Sequence, residues 1–164
     1  MKKLVLIVVL LMGCVATYAQ KKIEVEVSAG LTYPMKGNDK SVGPAFTLEG
    51  RYNVGGGLDA GLQAYYGDVI YSHSKSKEHS KTIGGLVVAD YNIGLNSSFT
   101  SFIGAGAGYG QYKVLYLDAE EKTKGMLYML RIGVEHKSHV RMTIYGRMGK
   151  EYFASYGISV GYAF

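Results

Sequence analysis

Residues Ile103–Tyr112 read IGAGAGYGQY, with a glycine at every second position from Gly104 to Gly110. A dinucleotide-binding loop needs the spacing G-x-G-x-x-G between a strand and a helix, and a P-loop ends in Lys followed by Ser or Thr. Neither pattern is present in this stretch. A period of two is the period of a β-strand, in which alternate side chains point to opposite faces of the sheet. The stretch therefore predicts a strand with one glycine face and one apolar face.

The same alternation recurs along the chain and predicts eight strands in all. The last of them alternates apolar side chains with Ser, Gly and Ala and ends on the C-terminal Phe164. No apolar pattern with the period of a helix remains beyond the first 19 residues. The predicted strands lie within residues 23–33, 44–54, 58–68, 83–93, 99–115, 128–136, 140–148 and 156–164.

The connections between these strands alternate in length. Tight turns are predicted at 55–57, 95–98 and 137–139, and longer polar loops at 36–43, 72–81, 116–125 and 149–154, with Gly, Asn and Ser as turn residues. Eight strands in up-and-down order favour a closed barrel, because closure removes the exposed edges. The strands are long enough to cross a membrane, which takes about 9–11 residues. The predicted fold is an all-β, eight-stranded antiparallel up-and-down transmembrane β-barrel.

The first residues read MKKLVLIVVLLMGCVATYAQ, which is typical of a secretory signal peptide. Two lysines precede an apolar run, and Thr17 and Ala19 occupy the −3 and −1 positions of a cleavage site. We predict a signal peptide at 1–19 and a barrel domain at 20–164. Loss of Lys2 and Lys3 lowers the formal net charge from +5 to +3, which is too little to indicate nucleic-acid binding.

Cys14 is the only cysteine and leaves two alternatives open. The sequence LMGC resembles a lipoprotein-processing site, in which case Cys14 would be the lipidated N-terminus. If the chain is cleaved after Ala19, Cys14 is removed with the signal peptide. In both cases the mature protein has no internal disulfide, although an exported protein folds in an oxidising compartment.

Alternation alone does not decide which face points outward, but the polar face has the properties of a barrel interior. It carries both signs of charge, which can pair and hydrogen-bond in the narrow lumen of an eight-stranded barrel. The glycines lie on the same face, and tyrosines at strand ends on the apolar face are typical of interfacial girdles. The predicted interior polar network comprises Glu24, Glu26, Glu49, Arg51, Asp59, Gln63, Asp90, Arg131, Glu135, Arg141 and Arg147.

These features together resemble the small outer-membrane β-barrel proteins of Gram-negative bacteria, of the OmpA/OmpX type. The resemblance rests on the signal peptide, the eight alternating strands and the terminal Tyr162-Ala163-Phe164. It implies a location in the bacterial outer membrane and biogenesis by the barrel-assembly machinery. It does not imply cell-wall anchoring, since no peptidoglycan-binding domain follows the barrel. The residues that resemble the C-terminal assembly signal are Tyr156, Ile158, Val160, Tyr162 and Phe164.

Two groups of residues are candidates for chemical sites. His136 and Ser138 form an H-x-S sequence similar to the His/Ser pair of the lipid A deacylase barrels, but they are predicted at a periplasmic turn, on the wrong side for that reaction. His73 and His79, near Glu78 and Asp68, match no metal-site spacing. We therefore predict no catalytic residue, no metal and no cofactor.

The predicted function is a non-enzymatic barrel with a plugged interior and no wide pore, serving membrane integrity or surface adhesion. The alternatives are a lipid-modifying enzyme, a narrow ion channel, and a soluble periplasmic barrel with an apolar ligand. We expect a monomer that contacts outer-membrane lipid or lipopolysaccharide and has no nucleic-acid partner. A surface ligand that binds through the extracellular loops stays an open alternative. The lysines predicted to meet lipopolysaccharide phosphates are Lys36, Lys40, Lys75, Lys77 and Lys81.

Overall fold

A computed structural model describes residues 23–35, 41–73, 76–94, 98–116, 119–149 and 154–164, with the side chains of 69–73, 76–79, 114–116 and 119–121 left out. All regular structure in these ranges is β-strand. Within them, no helix has the length and apolarity needed to cross a membrane. The strands are β1 Ile23–Pro34, β2 Gly43–Gly55, β3 Leu58–His73, β4 Ser76–Ile93, β5 Phe99–Tyr116, β6 Ala119–His136, β7 Val140–Gly149 and β8 Ser155–Ala163.

Each strand pairs antiparallel with its neighbour in sequence, and β1 pairs with β8 to close the barrel. The closure continues past the end of β8, where the Phe164 amide donates a hydrogen bond of 2.8 Å to the Val25 carbonyl. The prediction of an eight-stranded antiparallel up-and-down barrel is confirmed. The predicted division into 1–19 and 20–164 stays a prediction, because the first 22 residues lie outside the described part of the chain.

Alternate side chains of every strand point outward, and along the middle of each strand most of these side chains are apolar. In β4, Val87 is 63 % exposed, whereas its inward-pointing neighbours Val88 and Leu86 are both 2 % exposed. Leu62 in β3 is 68 % exposed. An apolar outer surface that continues around the barrel is typical of transmembrane β-barrels.

The two ends of the barrel differ. The end that holds the N-terminus of β1 and the C-terminus of β8 has short connections, and we call it the short-turn end. There, the turn between β2 and β3 contains Gly55, Gly56 and Gly57, with φ of 111°, 63° and 84°. Residues other than glycine rarely adopt this left-handed backbone conformation. The opposite end, where β3 joins β4 and β5 joins β6, is the hairpin end.

The prediction of long polar loops at 72–81 and 116–125 is wrong. Strands β3 and β4 remain paired as far as His73 and Ser76, and β5 and β6 as far as Tyr116 and Ala119. The four strands therefore extend beyond the last pairs that β3 makes with β2 and β6 makes with β7. These segments lack apolar alternation because they continue past the apolar surface, and their pairing with neighbouring strands keeps them extended.

Candidate functional site

The barrel interior holds most of the polar residues singled out from the sequence, and Arg131 of β6 is at its centre. Its Nη2 donates a 2.7 Å hydrogen bond to Glu49 Oε1, and its Nη1 binds the other oxygen of the same carboxylate. Its Nε and Nη2 each donate at 2.8 Å to the carboxylate of Asp90. Paired bonds of this kind match the planar guanidinium to each carboxylate. Arg131 thus ties β6 to β2 and β4 across the lumen.

Arg51 and Arg141 extend this network towards the short-turn end. Arg51 lies 3.1 Å from both Glu24 and Glu26 and 3.6 Å from Glu135. Glu24 and Glu135 are only partly buried, so the network reaches the rim of the barrel.

Arg141 connects that rim to the centre of the lumen. It lies 2.5 Å from Asp90 and 3.6 Å from Glu135, and its guanidinium carbon is 3.5 Å from the centroid of the Phe102 ring. A chain of alternating charges therefore crosses the lumen from strand to strand. Buried charges that are paired and hydrogen-bonded in this way can remain ionised out of water.

Two further predicted residues join the same region through amides. Asp59 accepts hydrogen bonds from the side-chain amides of Asn53 at 2.8 Å and Asn92 at 2.6 Å. Gln63 donates a 2.7 Å hydrogen bond to Glu49, the carboxylate that also binds Arg131. The pairing of Asn53 and Asn92 with Asp59 was not predicted, although the alternation of the strands would have placed them on one face.

Arg147 differs from the other arginines, and the prediction that it shares a network with Glu49 and Arg131 is not supported. Its guanidinium carbon lies 3.3 Å from the centroid of the Tyr65 ring and 4.1 Å from that of Tyr145. The side chain is 1 % exposed, and its Nε and Nη1 have no hydrogen-bond partner. Among the described residues, no carboxylate forms an ion pair with it. The physical reason is its position on β7 nearer the hairpin end, away from the carboxylates.

The hairpin half of the interior contains a buried cluster of mostly apolar side chains, a feature that the sequence-based prediction of a polar interior missed. A Cβ on Gly106 would lie 2.9 Å from Val88 Cγ1 and 3.5 Å from Met129 Cε, and one on Gly84 would lie 2.7 Å from Leu127 Cδ1. The glycines therefore make room for large apolar side chains inside a narrow barrel. The buried cluster comprises Ala45, Tyr65, Leu86, Val88, Tyr112, Leu127, Met129 and Tyr145.

His136 and Ser138 do come together, at the short-turn end of the barrel. Ser138 Oγ lies 2.7 Å from His136 Nδ1, and the Ser138 amide donates to the same nitrogen at 3.2 Å. The imidazole packs against the Phe99 ring at 4.8 Å between centroids. In the described part of the chain, no carboxylate hydrogen-bonds to this imidazole, so the pair lacks the third group that orients a catalytic histidine.

No metal centre is formed by the described side chains, in which no three His, Cys, Asp or Glu residues could hold an ion together. The side chains of His73, Glu78 and His79 lie outside the described set, so the sequence interpretation of that group stays as it was.

The five residues that resemble the assembly signal all point outward from β8 and the C-terminus. Tyr162 packs edge to face on Phe164, with ring centroids 5.0 Å apart. At the hairpin end, Tyr156 stacks on Tyr33 of β1 at 5.3 Å. Aromatic side chains thus lie near both ends of β8, at the limits of its apolar outer face.

Solved structures of other proteins share this architecture. Neisserial surface protein A (NspA) matches with a TM-score of 0.65 and 14 % identity, over 86 % of this chain and 95 % of that one. The fold is that of a small bacterial outer-membrane β-barrel. Such a barrel is also found in the outer-membrane protein OprG of Pseudomonas aeruginosa, with a TM-score of 0.55, 12 % identity and coverage of 87 % and 95 %.

A third outer-membrane barrel, the N-terminal domain of Pseudomonas aeruginosa OprF, matches with a TM-score of 0.54 and 15 % identity, over 86 % of this chain and 97 % of that one. No protein-family model matches the sequence, and no curated protein is significantly similar to it. Identities at this level establish a shared fold and nothing finer. The role of this barrel must therefore be argued from its own residues.

Proposed function

We propose that the protein spans the outer membrane as a monomeric barrel with a closed interior, and that its role is structural or surface-interactive rather than enzymatic. The observation that carries this proposal is the division between the two faces. The outer face is mostly apolar along the middle of all eight strands, while ion pairs and packed apolar side chains occupy the interior. A soluble barrel with an apolar ligand would need the opposite arrangement.

Two successive layers support the closed interior. In the first, Arg131 is bound simultaneously to Glu49 and Asp90, which lie on two other strands. In the second, Leu127 and Met129 fill the space beside the glycines of β5, and they are 0 % and 2 % exposed. An eight-stranded barrel has an interior just wide enough for side chains to fill. We therefore infer that no continuous water-filled pore crosses the barrel.

The location and the fold are tested by gel mobility of the outer-membrane fraction, with and without heating. We expect the protein in that fraction, and a shift in mobility on boiling, since a folded membrane barrel resists detergent until heated. Recovery from the soluble periplasm with no shift would overturn the proposal and favour a barrel that binds an apolar ligand.

The closed interior is tested by conductance in planar bilayers. We expect no stepwise ionic current from the wild-type protein at concentrations at which a porin control conducts. Steady open channels in the wild type would favour the ion-channel alternative.

The absence of enzymatic activity is tested on the lipids themselves. Mass spectrometry of lipid A and phospholipids from cells that express the wild type or His136→Ala should give the same acyl composition as cells without the protein. A deacylated product that disappears with His136→Ala would establish the lipid-modifying alternative and overturn this part of the proposal.

A further inference from the structure

Arg147 is a buried cation with unused hydrogen-bond donors. Its side chain is 1 % exposed, and neither Nε nor Nη1 has a hydrogen-bond partner among the described residues. The rings of Tyr65 and Tyr145 attract its charge, with their centroids 3.3 Å and 4.1 Å from the guanidinium carbon. An aromatic ring does not supply the oxygen lone pair that a guanidinium N–H ordinarily bonds. The N–H groups of these two nitrogens therefore still lack an acceptor.

Hydroxyl side chains with unused hydrogen-bonding capacity lie on the same side of the lumen. Thr32 of β1 and Ser41 are 1 % and 5 % exposed, and their hydroxyl oxygens have no hydrogen-bond partner in the described part of the chain. Ser41 precedes β2, which begins at Gly43 directly opposite Thr32. Ser155 of β8 lies directly opposite Arg147 and is partly exposed. The wall from β7 through β8 and β1 to the start of β2 thus carries hydroxyl groups near the guanidinium.

The register brings Thr32 into the same region as the guanidinium. Gly157 of β8 lies directly opposite Thr32 on one side and Tyr145 on the other. The Tyr145 side chain crosses Gly157, where a Cβ would lie 2.5 Å from the tyrosine hydroxyl oxygen. That hydroxyl donates a 3.5 Å hydrogen bond to the carbonyl of Leu31, the residue before Thr32. Since Arg147 packs on the ring of the same tyrosine, one side chain spans the distance from Arg147 to Thr32.

An anion satisfies these groups better than a neutral molecule does. A buried charge is stable when an opposite charge pairs with it, and no described carboxylate pairs with Arg147. A water molecule can accept hydrogen bonds from the N–H groups, but it leaves the charge uncompensated. The hydroxyls of Thr32, Ser41 and Ser155 can all donate to an anion. Because the lumen of an eight-stranded barrel is just wide enough for side chains, the space favours a single small ion.

We propose that Arg147 and these hydroxyls bind a small monovalent inorganic anion of the size of chloride, inside the lumen near the hairpin end. The partly exposed Ser155 marks the side from which the ion enters. Met129 of β6, directly opposite Arg147, is 2 % exposed and closes the other side of the guanidinium. The site is thus a blind pocket, not a conduction path. It concerns the lumen alone and goes beyond the proposed structural or surface role.

The test measures urea unfolding of the protein folded in lipid vesicles while chloride replaces gluconate at constant ionic strength. Constant ionic strength keeps charge screening the same, and gluconate is a bulky organic anion that a narrow lumen excludes. For the wild type, the ratio of folded to unfolded protein should rise about fivefold when about 0.2 M chloride replaces gluconate, which is the increase for a Kd of about 50 mM.

Two variants of the site and one control make the test specific. Arg147→Met should remove the chloride dependence. Thr32→Val deletes one hydroxyl with little change in shape, and it should reduce the rise to below about twofold, because a hydrogen bond to a charged group is lost. The matched control is Thr143→Val, which alters another lumen threonine, 9 % exposed and nearer the short-turn end. It should respond to chloride as the wild type does.

A wild type that does not respond to chloride, or a response of wild-type size in Arg147→Met, would overturn the inference. If Arg147→Met does not fold, the two threonine variants decide, and equal chloride responses of Thr32→Val and Thr143→Val would then overturn it. None of these results bears on the membrane-spanning barrel, which the heat-dependent shift in gel mobility tests separately.

Discussion

The guanidinium carbon of Arg147 lies 3.3 Å above the ring of Tyr65, and in the described residues no carboxylate is paired with this cation. Arg131 has the opposite environment, since both of its neighbours in the network are carboxylates. Two buried arginines in one lumen are thus held by different forces, cation–π contact in one case and charge pairing in the other.

Replacing each arginine with methionine should separate these two forces. Arg131→Met leaves the carboxylates of Glu49 and Asp90 buried without their cation, and we expect a loss of about 3–5 kcal/mol in the free energy of unfolding. Arg147→Met strands no described carboxylate and removes cation–π contacts worth about 2 kcal/mol. Urea unfolding of the protein folded in lipid vesicles measures both. Equal losses would mean that an anionic group also faces Arg147.

The glycines of β5 should tolerate substitution only where no side chain packs over them. A Cβ on Gly104 would collide with the Asp90 carboxylate and lie 2.8 Å from the Ala89 carbonyl. Gly104→Ala should therefore displace Asp90 from Arg131 and cost about 1–3 kcal/mol.

The control for this substitution is Gly50→Ala on β2, where a Cβ would meet nothing within 4 Å. Its effect on the free energy of unfolding should stay within about 1 kcal/mol. A Gly104→Ala variant as stable as Gly50→Ala would show that the lumen is wider at Gly104 than these contacts indicate.

A charge placed on the outer face should be costly in lipid and nearly neutral in water. Val87 lies in the middle of β4 and Val54 at the end of β2, and they are 63 % and 55 % exposed. In vesicles we expect Val87→Lys to cost about 2–4 kcal/mol and Val54→Lys about 0–1 kcal/mol, because the penalty depends on depth. Equal and small effects of both substitutions would indicate that the outer face is in contact with water.

The terminal phenylalanine should matter more for assembly in cells than for the folded barrel. Phe164→Ala keeps the main-chain hydrogen bonds with Val25, so we expect the refolded protein to retain its heat-dependent shift in mobility. Its amount in the outer-membrane fraction should fall severalfold if the side chain is read by the assembly machinery. Tyr52→Ala removes another exposed aromatic side chain of the short-turn end and is the control. Equal yields of the two variants would contradict the assembly role.

The strand count, the closure and the inward glycine face follow from alternation, which is a local property of the sequence. Gly104 and Asp90 could be placed on inward faces in this way, because a period of two fixes the face once the strand is recognised. The bonding of Arg131 to both Glu49 and Asp90 could not be predicted in this way, since it depends on the register between strands that are distant in sequence.

Two features escaped prediction for physical reasons. Leu86 and Met129 share a face with Asp90 and Arg131. A charged residue on the same face, four residues from Leu86 and two from Met129, hides an apolar interior position from a pattern that expects uniform faces. The extension of β3 to His73 was missed because the polar segment carries no alternation, and its strand conformation comes from pairing with β4.

The extended pairs β3–β4 and β5–β6 have a consequence for how the protein would withstand proteases at a cell surface. A protease binds its substrate as an unpaired, extended segment, whereas the lysine-containing stretches beside Lys81 and Lys122 are held in a hydrogen-bonded ladder. Trypsin applied to intact cells should therefore spare these lysines, even though they lie outside the apolar band. A segment whose sequence resembles an easily cleaved loop is therefore expected to resist proteolysis when it is paired as a strand in this fold.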